Sequence, residues 1–228
     1  MEWKILFEDE AMLVARKPQG MPSQADKTGD LDLLTALQAH CGHPLGLIHR
    51  LDRPVGGLLV FAKTKKVEAN FAKQMQEGLL EKRYRAVLCG NLPEGKGTLV
   101  DYLKKNMRTN LSEVVSPKEK MAKKAVLHYE VLRTTMEDNQ TLSYVEIQLE
   151  TGRHHQIRVQ TSHAGAPIWG DKKYNLLFQR GGLTEIALWA YALKGVHPIT
   201  KKPWFFEDIP TDGAFRFFME NDKTGFAF

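Results

Sequence analysis

The chain has 228 residues, 43% apolar and 26% charged, which fits one large globular domain or two small ones and excludes a disordered or fibrous protein. Lysine and arginine outnumber the acids 32 to 27, and the net charge of +5 favours a polyanionic partner without proving one. Two cysteines, Cys41 and Cys89, are too few for a disulfide framework or a cysteine-built metal cluster, and no apolar run reaches bilayer length. The start, MEWKILFEDE, lacks the apolar stretch of a signal peptide, so a cytoplasmic protein with two reduced thiols is expected.

In chain order, residues 4–8 and 12–16 read as short strands joined at Asp9-Glu10. Lys17-Pro18-Gln19-Gly20-Met21-Pro22 is a turn, because proline fixes one torsion and glycine frees another. Asp30 can cap a helix over 31–40 with Leu33, Leu34 and Leu37 on one face. The stretch LIHRLDRPVGGLLVFAK, 47–63, sets Asp52 among His49, Arg50 and Arg53. Pro54, Gly56 and Gly57 then force a tight path into the apolar strand 58–62. An acid beside arginines is ordinarily a surface ion pair. Two glycines and a proline just after it argue instead for an acid placed on a turn, with something approaching the main chain closely.

Thr64 caps a helix to about Glu77, ended by Gly78. KRYRAVLC, 82–89, alternates as a strand, with Tyr84 on the face opposite Arg83 and Arg85. Such a tyrosine is ordinarily core, but in a cleft its ring stacks on a base for about 1–3 kcal/mol. Residues 90–97 form a connection. Residues 104–124 carry Lys104, Lys105, Arg108, Lys118, Lys120, Lys123 and Lys124 against Glu113 and Glu119, with poor hydrophobic patterning between 106 and 120. This is a solvated loop or a nucleic-acid-contacting arm, depending on whether it borders Asp52. Residues 125–133 and 142–150 are strands, paired as a hairpin across 136–141. A helix follows over 154–164, then late strands at 187–196 and 203–207 and a tail helix at 211–220 with a fraying end. Adjacent His154 and His155 point different ways on a helix and have no third ligand at metal-binding spacing, so no metal site is expected. No Gly-rich phosphate loop occurs. The elements lack a regular parallel rhythm, which implies an α/β (α+β) protein with a mixed, largely antiparallel sheet flanked by helices.

Four segments in order carry a resemblance: HRLDRPVGGLLVFAKT (49–64), KRYRA (82–86), TGRHHQIR (151–158) and PIWGDKKY (167–174). Together they resemble the RluA-type pseudouridine synthases, whose signature reads HRLD, two residues, Thr-Ser-Gly and an apolar strand. The likeness runs from about residue 5 to 209 and includes the Lys-Pro-x-Gly turn and a late strand ending in His-Pro. Val55, Gly56 and His154 depart from the family's Thr, Ser and Thr. The resemblance implies a pseudouridine synthase fold with a central catalytic cleft, and isomerisation of uridines in tRNA or rRNA without a cofactor. It makes Asp52 the catalytic aspartate and Arg50 the residue that helps push the base from its stack. It places Tyr84 against the flipped base and pairs Arg158 with Asp52, which keeps the carboxylate charged and aimed. PIWGDKKY reads as cleft wall and fold support. Arg53, Lys104, Lys105, Arg108, Lys123 and Lys124 are added as RNA contacts from the charge pattern. The expectation is a monomer with a single catalytic domain over 1–228, a short form without the accessory RNA-binding domain that often precedes it. The alternative is a catalytically silent RNA-binding or assembly factor on the same fold. The three departures leave it room, and retention of Asp52 and Arg158 counts against it. A hydrolase using Asp52 as nucleophile lacks a second acid or base at a convincing spacing.

Overall fold

The computed structural model describes residues 2–180, 182 and 184–219. Its elements are β1 (Lys4–Glu8), β2 (Met12–Lys17), α1 (Leu33–Cys41), β3 (Gly46–Leu47), β4 (Gly56–Ala62), α2 (Lys65–Gln76), β5 (Glu81–Cys89), β6 (Lys96–Asn106), β7 (Leu111–Val114), β8 (Lys123–Glu137), β9 (Gln140–Leu149), α3 (Gln156–His163), β10 (Leu188–Val196) and β11 (Pro203–Glu207). The fold is mixed α/β and mostly antiparallel. No helix among the described residues is long and apolar enough to cross a membrane. Two compact units divide the chain: residues 1–83 with 189–209, and residues 84–188 with those from Pro210 on.

In the first unit β2 lies antiparallel to both β1 and β4, β10 runs parallel to β4, and β11 pairs with β10. Every residue of β4 is buried, as its unbroken apolar run demands of a strand covered on both faces. Val60 and Leu58 pack with Met12, Val14, Val67, Phe71 and Leu193. The two glycines that open β4 have a steric cause. A Cβ on Gly56 would sit 2.0 Å from the Trp189 ring, and one on Gly57 would sit 2.3 Å from the Ala190 carbonyl oxygen at a φ of +121°. A serine at 56 therefore has no space here.

Helix α1 begins two residues later than the leucine pattern suggested, and Asp32, not Asp30, caps it. Asp32 accepts from the Thr35 amide (2.9 Å) and hydroxyl (2.7 Å). The free amides of Leu33 and Leu34 are taken by the carbonyls of Pro22 and Ser23, which holds residues 31 and 32 outside the helix. Thr64 caps α2 through the Val67 amide, and Gly78 follows its end at φ +69°, both as expected.

The strands of the second unit are ordered β5, β9, β8, β6, β7. The β8–β9 hairpin turns on Asp138 and Asn139, both left-handed, the conformation that matches strand twist in a two-residue turn. Both strands run further than their alternation suggested. Residues 104–114 are not irregular: β6 and β7 form a hairpin with Lys104 opposite Glu113 and Lys105 opposite Ser112. β6 escaped the sequence because its pairing with β8, rather than its own pattern, makes it a strand. Helix α3 starts at Gln156, after His155 at φ +54°, so the two histidines precede the helix. The tail forms a short 3-10 helix, Gly213–Phe218, whose Phe215 and Phe218 pack on Tyr144. The expected extension to residue 220 and the fraying end lie outside the described residues.

Candidate active site

In the first unit the turn 17–23 cradles the main chain on both sides of half-exposed Asp52. The Ser23 hydroxyl donates to the Leu51 carbonyl (2.8 Å) and accepts from the Leu51 amide (3.1 Å). On the other side the Gly20 amide donates to the Arg53 carbonyl (2.9 Å). The Lys17 ammonium donates to the carbonyls of Pro18 (2.9 Å), Met21 (2.6 Å) and Arg53 (3.2 Å), which uses all three of its protons. Lys17 is fully buried; burial pulls its pKa down to about 7, while the Asp52 carboxylate pushes the other way. The Asp52 carbonyl closes its own turn by accepting from the Val55 amide. A tied backbone fixes where the carboxylate starts from. The sequence showed the Lys-Pro-x-Gly turn but not that it holds Asp52, because the two lie some thirty residues apart.

Arg50 is exposed. Arg53 donates to Thr28 and Asp30 and pairs with Asp26, so acids of its own unit meet its charge. His49 is buried, and its pKa lies well below the ordinary imidazole value, first through burial and then through the positive Lys82.

In the second unit Tyr84 is buried. Arg158 is also buried, and its Nε and Nη2 donate to Asp171 Oδ2 and Oδ1, each at 2.7 Å, a bidentate pair. Asp171 Oδ1 further accepts the amides of Lys173 and Tyr174. PIWGDKKY thus supplies the carboxylate that clamps this guanidinium, a role that its reading as cleft wall missed; the only sequence signal was an acid in a glycine turn. Arg158 also lies over the Tyr174 ring, 5.2 Å from its centre. The Tyr174 hydroxyl accepts from the Ser112 amide and shares a 2.7 Å hydrogen bond with His155 Nδ1. Burial, helped by the positive Arg158, pushes the His155 pKa down to about 2, so the ring is neutral. His154 stacks on His155 at 3.7 Å, with its Nδ1 2.8 Å from the Ser112 hydroxyl. The two rings face each other instead of diverging, and each Nδ1 is engaged by a hydroxyl.

The basic residues of 104–124 are spread over the neighbouring strands β6, β7 and β8 and their connections. Lys104 and Lys105 end β6, Lys123 and Lys124 begin β8, and Arg108 sits at the tip between β6 and β7. Lys104 pairs with Glu119 at 2.7 Å, which raises its pKa. Glu8, His40 and Cys41 are a group of possible metal ligands within 4.8 Å of one another. The Lys63 ammonium lies 2.6 Å from Glu8 Oε1, and Lys63 with His40 pulls the Glu8 pKa down to about 2. That is the signature of an ion-pair cluster.

The model of the RNA pseudouridylate synthase family matches residues 11–163. The chain belongs to this family. The synthase is 34% identical to ribosomal large subunit pseudouridine synthase D of Zymomonas mobilis, over 95% of this chain and 72% of that protein. It is also 34% identical to the protein of that name in Neisseria meningitidis, over 93% of this chain but only 59% of the other. It is 33% identical to tRNA pseudouridine synthase C of Haemophilus ducreyi, over 88% of each. In fold the synthase resembles human RNA pseudouridylate synthase domain containing 1 (TM-score 0.77, 22% identity, 92% of this chain and 84% of that one). It also resembles human RNA pseudouridylate synthase domain containing 4 (TM-score 0.70, 24% identity, 90% and 88%). By family the synthase is an isomerase that makes pseudouridine in RNA.

Proposed function

We propose that residues 1–228 act as one catalytic domain that isomerises selected uridines of a structured tRNA or rRNA. Asp52 is the catalytic carboxylate, Arg158 its charged partner and Tyr84 the aromatic wall against the everted base. The observation that carries this reading is the cradle of turn 17–23, which ties the main chain on both sides of Asp52. A surface acid in a routine ion pair needs no such support.

The chemistry breaks the glycosidic carbon–nitrogen bond, turns the uracil and rejoins it through ring carbon five. Nothing is oxidised and no group is added, so the reaction calls for no cofactor. The detached base must be kept from water, which suits an aromatic wall and a single charged acid. The target uridine must leave its stack, at a cost of a few kcal/mol. Exposed Arg50, two residues from Asp52, fills the gap, and phosphate contacts from Arg53 and the cations Lys104, Lys105, Arg108, Lys123 and Lys124 offset the cost. The enzyme works as a monomer in the cytoplasm.

The test is Asp52→Asn in the purified full chain, with pseudouridine detected by carbodiimide labelling. The expected result is RNA binding without isomerisation; undiminished activity removes Asp52 from the chemistry. Mapping pseudouridines in RNA from a strain with and without the gene separates tRNA from rRNA targets.

A further inference from the structure

Within the second unit the β6–β7 hairpin is tied to the clamp around Arg158. The Tyr174 hydroxyl accepts from the amide of buried Ser112 on β7 (2.8 Å) and lies 2.7 Å from His155 Nδ1. The Ser112 hydroxyl is 2.8 Å from Nδ1 of His154, one of the departures from the family's pattern. The Lys173 ammonium donates to the carbonyl of Asn110, just before β7 (3.1 Å). Leu103 of β6 and Val114 of β7 pack with Val159 of α3 and with Tyr174 in one apolar cluster.

The same residues fix Arg158 from the other side. The Tyr174 ring lies under its guanidinium, and the Tyr174 amide donates to Asp171 Oδ1 (3.3 Å), the oxygen that also takes Arg158 Nη2 (2.7 Å). His155 starts the helix that carries Arg158, its carbonyl accepting the Val159 amide. Its φ of +54° is left-handed, a conformation that a non-glycine residue keeps only where its surroundings hold it. One side chain, Tyr174, therefore joins β7 to the base of α3 and to Arg158.

β7 ends the sheet, with β6 its one neighbour among the described strands, and the hairpin carries Lys104, Lys105 and, at its tip, exposed Arg108. An edge strand held from one side is the part of a sheet that a bound polyanion moves most readily. We propose that Tyr174 is a positioning residue: RNA phosphates held by the hairpin seat β7, and Ser112, Tyr174 and His155 pass that seating to the guanidinium of Arg158. The proposal deepens the function given above and rests on it. It makes hairpin contacts speed the chemical step as well as tighten binding.

The experiment follows tritium released from carbon five of uridine in total RNA of a strain lacking the gene, in single turnover with the full-length enzyme in excess. It reads a limiting rate and a half-saturating enzyme concentration. Tyr174→Phe removes the hydroxyl and keeps the ring under Arg158. It is expected to lower the limiting rate about tenfold and to leave half-saturation within about twofold. Arg108→Gln is expected to worsen both readings in the wild-type background, but only half-saturation in the Tyr174→Phe background. A limiting rate untouched by Tyr174→Phe overturns the proposal. So does an equal effect of Arg108→Gln on that rate in both backgrounds, since the bonds then only support the fold. If Tyr174→Phe does not fold, His154→Thr takes its place in the same cycle, with an expected loss of about threefold in limiting rate; an unchanged rate overturns the coupling. Asp52→Asn is run in parallel. If it is inactive while the cycle is additive, the coupling alone falls; if it is active, the catalytic reading falls and the proposal with it.

Discussion

The unit that carries Asp52 and the unit that carries Arg158 each hold one charged side chain still, by different means. Around Asp52 the restraint is on the main chain: Ser23, Gly20 and Lys17 bond the backbone of Leu51 and Arg53. Around Arg158 the restraint is on the side chain itself, through a buried bidentate carboxylate and an aromatic face. Backbone anchoring lets the anchored side chain change without loss of the loop. A buried ion pair does not, since removing one partner strands the other in a medium that solvates charge poorly.

The contrast breaks most openly at Asp171. Asp171→Asn leaves Arg158 without its carboxylate, and equilibrium denaturation should show a loss of about 3–5 kcal/mol. Asp52→Asn should leave stability within about 1 kcal/mol of wild type in the same assay. Comparable losses in the two variants would erase the distinction. Gly56→Ser comes next: its side chain must displace the Trp189 ring, a cost of about 3 kcal/mol. A neutral result would show that β4 and β10 can part at no cost.

The two units are alike in one respect, since each buries a neutral histidine, His49 in one and His155 in the other. Both have folded pKa values below the ordinary 6.5, so the unfolded chain binds more protons as pH falls through that value. Stability is therefore retained above pH 6.5 and declines on acidification. His155 alone costs about 2 kcal/mol between pH 7 and 5 and His49 acts in the same direction, above the range where the depressed carboxylates titrate. Denaturation at those two pH values checks it, and a flat profile would mean that the rings take up protons while folded. Ser23→Ala orphans a buried amide and carbonyl of Leu51 and should cost about 2 kcal/mol, with a fall in turnover larger than any change in KM. Thr64→Ala removes only a helix cap and should cost about 1 kcal/mol with turnover unchanged.

Much of the fold was legible because its signals are local. The apolar run of β4, the Thr64 cap and the late strand 203–207 follow from periodicity and capping chemistry that neighbouring residues supply. The Asp30 cap failed because Asp32 competes for the same helix end, and the Pro22 and Ser23 carbonyls, distant in sequence, decide between them. The hairpin of β6 and β7 was hidden for a similar reason: its lysines hide the alternation, and β8 provides the pairing.

The sequence by itself determined the family, the turn that bears Asp52 and the ordered motifs around it, because composition, spacing and glycine placement are written in consecutive residues. Only the tertiary structure decided which groups meet. It matched Asp171 to Arg158, turn 17–23 to the backbone on either side of Asp52, Tyr174 to His155, and left the His49 ring nitrogens without a hydrogen bond among the described residues. Each of those pairings is set by how the chain packs, and the energy of a charge or a buried hydrogen bond depends on which groups packing brings within about 3 Å of it.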